Sequence, residues 1–547
     1  MSERKGWLLA LAVAALGVSL RLGAVTGYWV NGDEGLYDFA AHAPAAMARF
    51  TIENNAHPPL YFWLLRGVAW VSDDFVWLRL PALICGSLSI LVMYAVGRDI
   101  AGVSCGLAAA LLVALSPGAI ALSQVIRPYA FQGLLLAVAL WFVLRYLRDR
   151  RLRDLVGYAG SATLALFVQY GSFLLAAGVG AVVGGMALAR RLDARSLRAL
   201  ALAHIPLALG GAWLFYFQIR PKLMGQAIQR EAVEGWLADQ FVAGPACVWR
   251  GFLGLFDYLA GPSFAAAAGV GFVVGLVVCV RERRVEVAGL CAAALFVAVT
   301  LSVLSLYPFG GTRHSFHLAP LVVLPIAVAI GRVMSAGRSR AAAAVAIVAL
   351  LFVAAAPTRS ALGFSPSGRD SELSIPRREM EDLRAVFDSE ASRPGLTIVD
   401  VETVYMLSPL LREVDAWPSW FGLPRMAVYP WRQRVVVVAP VWNMDADLPA
   451  RLAPRQLAGV LAAIELNLPN AVKYLERDVG VISTSGSRLL DSIRELAEED
   501  GLSGALTEEV AQSPHVAIFR LRVGPYRQAL EDRIRRYNER QRSDAAL

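Results

Sequence analysis

Charge is what this sequence has least of. Of its 547 residues only 18% are Asp, Glu, Lys or Arg, while 57% are hydrophobic. A soluble protein of ordinary composition is about a quarter charged and about half apolar. That shortfall, with a mean hydropathy of +0.52, excludes a chain that is water-soluble throughout. Cysteine is scarce too: Cys85, Cys105, Cys279 and Cys291 sit in or beside apolar runs, and Cys247 lies in a polar stretch. Those spacings give neither a disulfide framework nor a zinc ligand set. Internal repeats and low-complexity linkers are missing as well. The net charge of +8 has no basic face interleaved with exposed aromatics, so it does not point to nucleic acid.

What is present is a series of apolar runs near the ~20 residues needed to cross a bilayer. They extend over Trp7–Val25, Leu78–Val96, Ser104–Leu122, Tyr129–Leu144, Leu155–Tyr170, Phe173–Leu188, Ala201–Phe217, Phe264–Val280, Val285–Leu306, Phe316–Ile330 and Ala341–Ala356, about eleven in all. The opening "MSERKGWLLALAVAALGVSL" reads as an uncleaved first span rather than a signal peptide, because its apolar run outlasts a normal h-region. The basic clusters "RYLRDRRLRD", "ARRLDARSLR", "RERR" and "GRVMSAGRSR" fall in short gaps between spans. An inward N-terminus puts them all on one side, as the excess of Lys and Arg on cytoplasmic loops requires. The loops at about 26–77, 123–131, 218–262 and 307–320 then share the outer face. From about residue 361 the pattern changes. "LTIVDV", "RVVVVAP", "GVISTS" and "HVAIFRLRV" read as strands, and "SRLLDSIRELAEEDG" as an amphipathic helix. The expected architecture is a polytopic α-helical membrane protein over 1–360 with a C-terminal soluble α/β domain over 361–547. "GFSPSGRDS" would be the hinge, and the tail is expected on the outer face.

The outer loops hold the residues able to do chemistry. In "YWVNGDEGLYDFAAHAP" Asp33 and Glu34 stand where the chain leaves the first span. Asp33 fits a helix cap near Gly35. It also fits a general base at a membrane-embedded cleft, where partial burial raises a carboxyl's proton affinity. His57, before Pro58 and Pro59, reads either as a polar flank of an interfacial helix "LYFWLLRGVAW" or as a donor to a phosphate. Arg127, with Tyr129 beside it, either snorkels to headgroups or clamps one phosphate with its planar fork. Arg220, Lys222, Arg313 and His314 pose the same pair of readings. One acidic pair and several cations converging on one face suit a base together with an anionic lipid.

The series "GDEGLYDFA", "AHPPLYFWLL", "LRLPALICGSLSILVMYAVGRDIAG" and "LSPGAIALSQVIRPYAFQGLLLA" resembles the membrane half of the GT-C glycosyltransferases, most closely the family of protein O-mannosyltransferases and the lipid A aminoarabinose transferase. The resemblance covers about residues 5–145, with "YPFGGTRHSFHLAPL" as a later anchor. It implies a sugar on a polyprenyl phosphate as donor and a protein, glycolipid or polysaccharide hydroxyl as acceptor. It implies that Asp33 and Glu34 are catalytic, with Asp33 the base, and that His57, Arg127 and Tyr129 meet the donor phosphate. Lys222, Arg313 and His314 are assigned to the same phosphate. No metal or other cofactor is required on this reading; a divalent cation at Glu34, Asp38 or Glu53 is the open alternative. The expected location is a bacterial plasma membrane with the active face outward. Two other classes stay in view: a transporter or flippase for a lipid-linked glycan, and a scaffold whose tail binds cell-wall polymer. Transporters favour inverted repeats and sites near the bilayer midplane, and neither is visible in this sequence.

Overall fold

The computed structural model describes residues 2–43, 45, 48–49, 52, 57–220, 241, 244–336, 375–411, 427–431, 434–439, 479–484 and 507–521. Two compact units divide the chain. One comprises Met1–Thr26 with Thr51–Ser374, the other Gly27–Phe50 with Ile375–Leu547. The sequence places residues 27–50 in the membrane half; the structure instead groups this segment with the tail.

The first unit is helical. Among the described residues seven helical stretches are long and apolar enough to cross a membrane: Glu3–Leu22, Phe75–Ala101, Tyr129–Asp149, Tyr170–Leu188, Ala194–Ile219, Val285–Val303 and Arg313–Ser335. Two more stretches reach that length and hydropathy only as bent pairs, Val103–Leu115 with Pro117–Ser123 at 59° and Ala246–Ala260 with Ala265–Arg281 at 102°. The chain is thus a multi-pass membrane protein. The expected straight span over 104–122 is a broken one, and the expected 218–262 loop contains the helix Pro245–Ala260. The run expected over 155–170 is the 17-residue helix Leu152–Val168. "LYFWLLRGVAW" forms the ten-residue helix Leu60–Ala69, too short to cross a bilayer. The span expected over 341–356, the hinge at 363–371 and the helix at 487–501 lie outside the described residues.

The break at Pro117 has a local cause and a distant remedy. Proline has no N–H, so the carbonyl one turn earlier, that of Val113, loses its helical partner. Ser116 recaps the chain by accepting from Ala119 N–H at 3.3 Å. The fully buried guanidinium of Arg21, one helix away, donates to Val113 O at 2.9 Å and Ala114 O at 3.1 Å. It also donates to Gly17 O at 3.0 Å and Ser123 Oγ at 3.2 Å. Gln124 completes the lock, its amide donating to the carbonyls of Leu20 and Arg21. A Cβ at Gly86 would collide with Ser123 Oγ and approach Arg21, so glycine is what lets the helices close around the guanidinium. A second charged knot ties other helices: Asp99 accepts from Trp141 Nε1 at 2.9 Å and pairs with Arg98 and Arg145, and Arg145 also meets Asp154.

The second unit is α/β in its described residues. Strands β1 (Gly395–Asp400), β2 (Ala427–Trp431), β3 (Arg434–Ala439), β4 (Val479–Thr484), β5 (Thr507–Gln512) and β6 (Val516–Leu521) form one sheet in the order β2-β3-β1-β4-β6-β5. Central β1 runs parallel to both β3 and β4, and the outer pairs are antiparallel. The four strands read from sequence are β1, β3, β4 and β6. Helix Arg377–Ala391 joins the sheet through two ion pairs. Glu390 accepts from Arg520 at 2.6 Å, and Glu379 meets His515 Nδ1 at 2.9 Å. Burial alone would raise the Glu379 carboxyl. The hydrogen bonds from Ser513 and His515, with the imidazole's charge, outweigh it and hold that carboxyl below its ordinary 4.5.

Two predictions follow from these contacts. Arg21→Met strands the Val113 and Ala114 carbonyls, each worth about 1–3 kcal/mol when left unpaired. The protein in nanodiscs should unfold several degrees lower (roughly 2–4 °C per kcal/mol for a large domain), with Arg21→Lys intermediate; an unchanged melting profile would remove the lock from the account. For Glu379, a folded pKa below the unfolded one means the pairing stabilises above the ordinary carboxyl range and is lost as pH falls through the folded value. Amide exchange at residues 377–391 of the whole chain should therefore quicken as pH drops below about 4.5, after correction for intrinsic rates. In Glu379→Gln the corrected rates should vary less over that window, and equal pH dependence in the two proteins would dismiss the pairing as a contributor.

Candidate functional site

In the first unit, polar side chains from three segments gather around one ring. Arg127, exposed to only 2%, sits in the short link between helix Pro117–Ser123 and Tyr129–Asp149, its N–H bonded to Val125 O at 2.8 Å. His57 comes from the loop ahead of Leu60–Ala69. Arg313 and His314 open the turn Arg313–Leu318. The His314 ring lies within electrostatic reach of Arg313, His57, Arg127 and His317, and the buried ring of Tyr129 meets it edge-on at 6.2 Å. Five of the residues singled out from sequence are thus brought together: His57, Arg127, Tyr129, Arg313 and His314. Two guanidinium groups near one imidazole offer several N–H donors, a set that suits an anion with several acceptor oxygens through charge-assisted hydrogen bonds. Phe316 of the same turn also lines a narrow apolar pocket with Gly86, Ser123, Gly133 and Pro320.

A set of uncharged residues that the sequence does not flag orders this cluster. Gln169 Oε1 accepts from Tyr170 N–H at 3.2 Å and faces His57 Nδ1 at 3.2 Å. A backbone N–H only donates, so the amide oxygen must point there, and Nδ1 of His57 must carry the proton. Proton exchange at His57 is thereby left to Nε2. The Tyr170 hydroxyl donates to Gln218 Oε1 at 2.9 Å, and Gln218 Nε2 reaches Ile52 O at 3.2 Å and His57 O at 3.5 Å. Gln218 can do this because Phe215–Ile219 forms a π turn, an irregularity that re-aims a side chain and recurs at functional sites. Tyr307 and His317 complete the wall. His317 Nδ1 donates to His314 O at 2.8 Å, and the Tyr307 hydroxyl donates to the same carbonyl at 3.4 Å. Any Cβ at Gly171 would strike the Tyr307 hydroxyl. Burial pushes the Tyr307 phenol up, with Tyr129 adding to the effect.

The acidic pair belongs to the second unit. "GDEGLYDFAAH" is the helix Gly32–His42, and its cap is Asn31, not Asp33. Asn31 Oδ1 accepts from Glu34 N–H at 2.7 Å, while the Glu34 carboxylate accepts from Asn31 N–H at 3.3 Å, a reciprocal capping box. Glu34 is fully buried, with one carboxylate oxygen on the cap. Asp33 is exposed in the first turn, so the expected partial burial does not hold for it within this unit. Asp38, weighed above as a cation ligand, is buried and accepts from Ser408 Oγ at 2.7 Å, with His42 one turn on. Among the described residues no three His, Cys, Asp or Glu side chains are grouped as a metal would need. Lys222 and Glu53 lie outside the described residues.

Residues 56–216 match the family model described as dolichyl-phosphate-mannose-protein mannosyltransferase. That range contains His57, Arg127, Tyr129 and Gln169, and stops short of the acidic helix on one side and Gln218 on the other. Among solved structures the chain is similar to ArnT from Cupriavidus metallidurans, bound to undecaprenyl phosphate and in the apo state. Each is 14% identical with a TM-score of 0.56, over 95% of this chain and 98% of that one. The Archaeoglobus fulgidus oligosaccharyltransferase, in complex with zinc and sulfate, aligns over 87% of this chain and 68% of that one, 14% identical at a TM-score of 0.48. No curated protein sequence matches. The chain has the GT-C fold that the resemblance implies.

The relay around His57 is testable by itself. Gln218→Leu leaves the Tyr170 hydroxyl and two carbonyls without a partner, a loss of about 1–3 kcal/mol for each buried group. Tyr170→Phe removes one of those groups. The double variant should be more stable than the two single losses added together, with a coupling of about 1 kcal/mol in thermal unfolding. Strict additivity would show that the two side chains do not interact.

Proposed function

We propose that this chain is a membrane glycosyltransferase that moves a sugar from a polyprenyl phosphate to an acceptor hydroxyl. The observation that carries the reading is the gathering of Arg127, Arg313, His57 and His314 around one point, in a chain with the fold of ArnT. A phosphate ester is an anion whose several oxygens such a cluster can hold. The acceptor oxygen attacks the anomeric carbon, and its proton passes to Asp33. The bond from that carbon to the phosphate oxygen breaks on the opposite side, and the phosphate leaves with the electron pair, so configuration inverts. Arg127 and Arg313 stabilise the charge developing on the leaving group, as oxyanion-hole donors do. His57, held at Nδ1 by Gln169, meets the same phosphate through Nε2. Glu34 fixes the start of the helix that carries Asp33.

The acceptor is a glycolipid, polysaccharide or protein hydroxyl, and the reaction belongs on the outer face of a bacterial plasma membrane. A transport role would call for charged groups near the middle of the spans. Arg127 instead precedes the span Tyr129–Asp149, and Arg313 opens Arg313–Ser335.

The test is release of polyprenyl phosphate from lipid-linked sugars extracted from native membranes, with acceptor extract supplied. Wild type should release it, while Asp33→Asn should not. Arg127→Met should lose ~10²–10³-fold in turnover, and Arg127→Lys should recover part of that. Folded wild type that consumes no donor would sink the reading.

A further inference from the structure

The acidic helix is made early in the chain, yet it is held by residues beyond 374. Ahead of the helix, Tyr28 bridges Pro376, Trp29 N–H donates to Ile375 O at 2.8 Å, and Arg377 N–H donates to Gly27 O at 2.9 Å. The Trp29 indole, 2% exposed, donates to Met406 O at 2.8 Å. In the helix itself, Gly35 lies so close to the backbone of Tyr405 that a Cβ would overlap its carbonyl. One turn later the buried carboxylate of Asp38 takes the Ser408 hydroxyl at 2.7 Å. At the far end Phe39 packs with Ala43 and Ala48 against Tyr405, the Phe39 and Tyr405 rings meeting edge-on at 5.9 Å.

From this geometry we infer that the segment 375–411 is a positioning element for Asp33, with Ser408 and the Tyr405 backbone as the positioning groups. The inference rests on the proposed transfer reaction, since it takes Asp33 as the base. The helix is gripped before its cap, at Gly35 and Asp38, and again beyond its last turn. A rigid eleven-residue helix held at three places leaves the first-turn carboxylate little freedom. Such a role gives the tail a part in turnover for every acceptor. A tail that only selected acceptors would have no need to hold the helix that bears the base.

Gly35→Ala separates docking from helix formation, because alanine is the better helix former and its only penalty is the encounter with Tyr405. Ser408→Ala removes the hydroxyl from Asp38 with no new bulk, and Ser408→Thr restores a hydroxyl. The experiment uses the whole chain in nanodiscs and reads kcat, donor KM and amide exchange over residues 32–42. Gly35→Ala should lower kcat ~10²-fold, the scale of a misplacement near 1 Å. Ser408→Ala should lower it about tenfold. Ser408→Thr should stay near wild type, and donor KM should hold within about twofold throughout. Exchange over 32–42 should quicken in the first two variants.

Unchanged kcat in Gly35→Ala and Ser408→Ala, beside an inactive Asp33→Asn, overturns the inference and leaves the transfer reaction standing. Quicker exchange with unchanged kcat overturns it too, because the contact would then be structural only. If Gly35→Ala does not fold, Ser408→Ala and its threonine counterpart decide. If wild type releases nothing, the transfer reading falls, and with it Asp33's role as base; slow exchange in both variants would then reject the grip itself.

Discussion

Away from water, a backbone carbonyl that loses its partner must be given another, and this requirement organises the membrane half of the protein. Pro117 removes one amide from a helix among apolar neighbours, and the guanidinium of Arg21 supplies the missing donors. The result is more than a repair. A straight helix through 103–123 would carry the chain onward along one axis, whereas the 59° bend turns it. Ser123 and Gln124, both bonded to residues of the first helix or its backbone, then fix the end of the short second arm. Arg127 follows three residues later, in the link to the next span. A buried charge in the first helix therefore sets the start of the segment that delivers a second buried charge to the site.

Hydropathy made most of the spans legible, since a run of 18 or more apolar residues has few alternatives. It did not reveal the break at Pro117, because a window average is blind to one missing amide. Pro245–Ala260 was hidden for the opposite reason: Arg250 and Asp257 lower the average of what is an amphipathic helix. In the tail, β1, β3, β4 and β6 are rich in Val and Ile and were readable. β2 contains Pro430, and β5 begins with Thr507, Glu508 and Glu509, so neither shows the β-branched signature. The charged members of the site stood out because charge is rare in this sequence. Gln169, Tyr170 and Gln218 did not, being neutral and far apart. Only the π turn brings Gln218 to its partners, and that turn has no pattern a sequence reader can count.

The stretch around the acidic pair shows how spacing misleads when two candidates are adjacent. Asn31 and Asp33 are both good capping residues. The choice between them is made by what stands three positions later: Glu34 after Asn31 closes a reciprocal box, and Leu36 after Asp33 does not. One carboxylate of the pair is thereby buried in the cap, and the other is exposed in the first turn. The pair reads as a unit in sequence, but the fold gives its two members different surroundings.

The contact between Asp38 and Ser408 spans 370 residues of chain. A polypeptide grows at about 5–20 residues per second, so the helix waits roughly 20–70 s for its dock to be synthesised. Throughout that interval it has only its own cap and the polarity of its sequence to preserve it. The membrane half is largely made by then, and the piece that seats the helix arrives after it. On the proposed chemistry a truncated or stalled chain holds its cations without a placed base, so the reaction becomes possible only once synthesis has passed Leu411. Arrival of the dock is in that sense the event that switches it on.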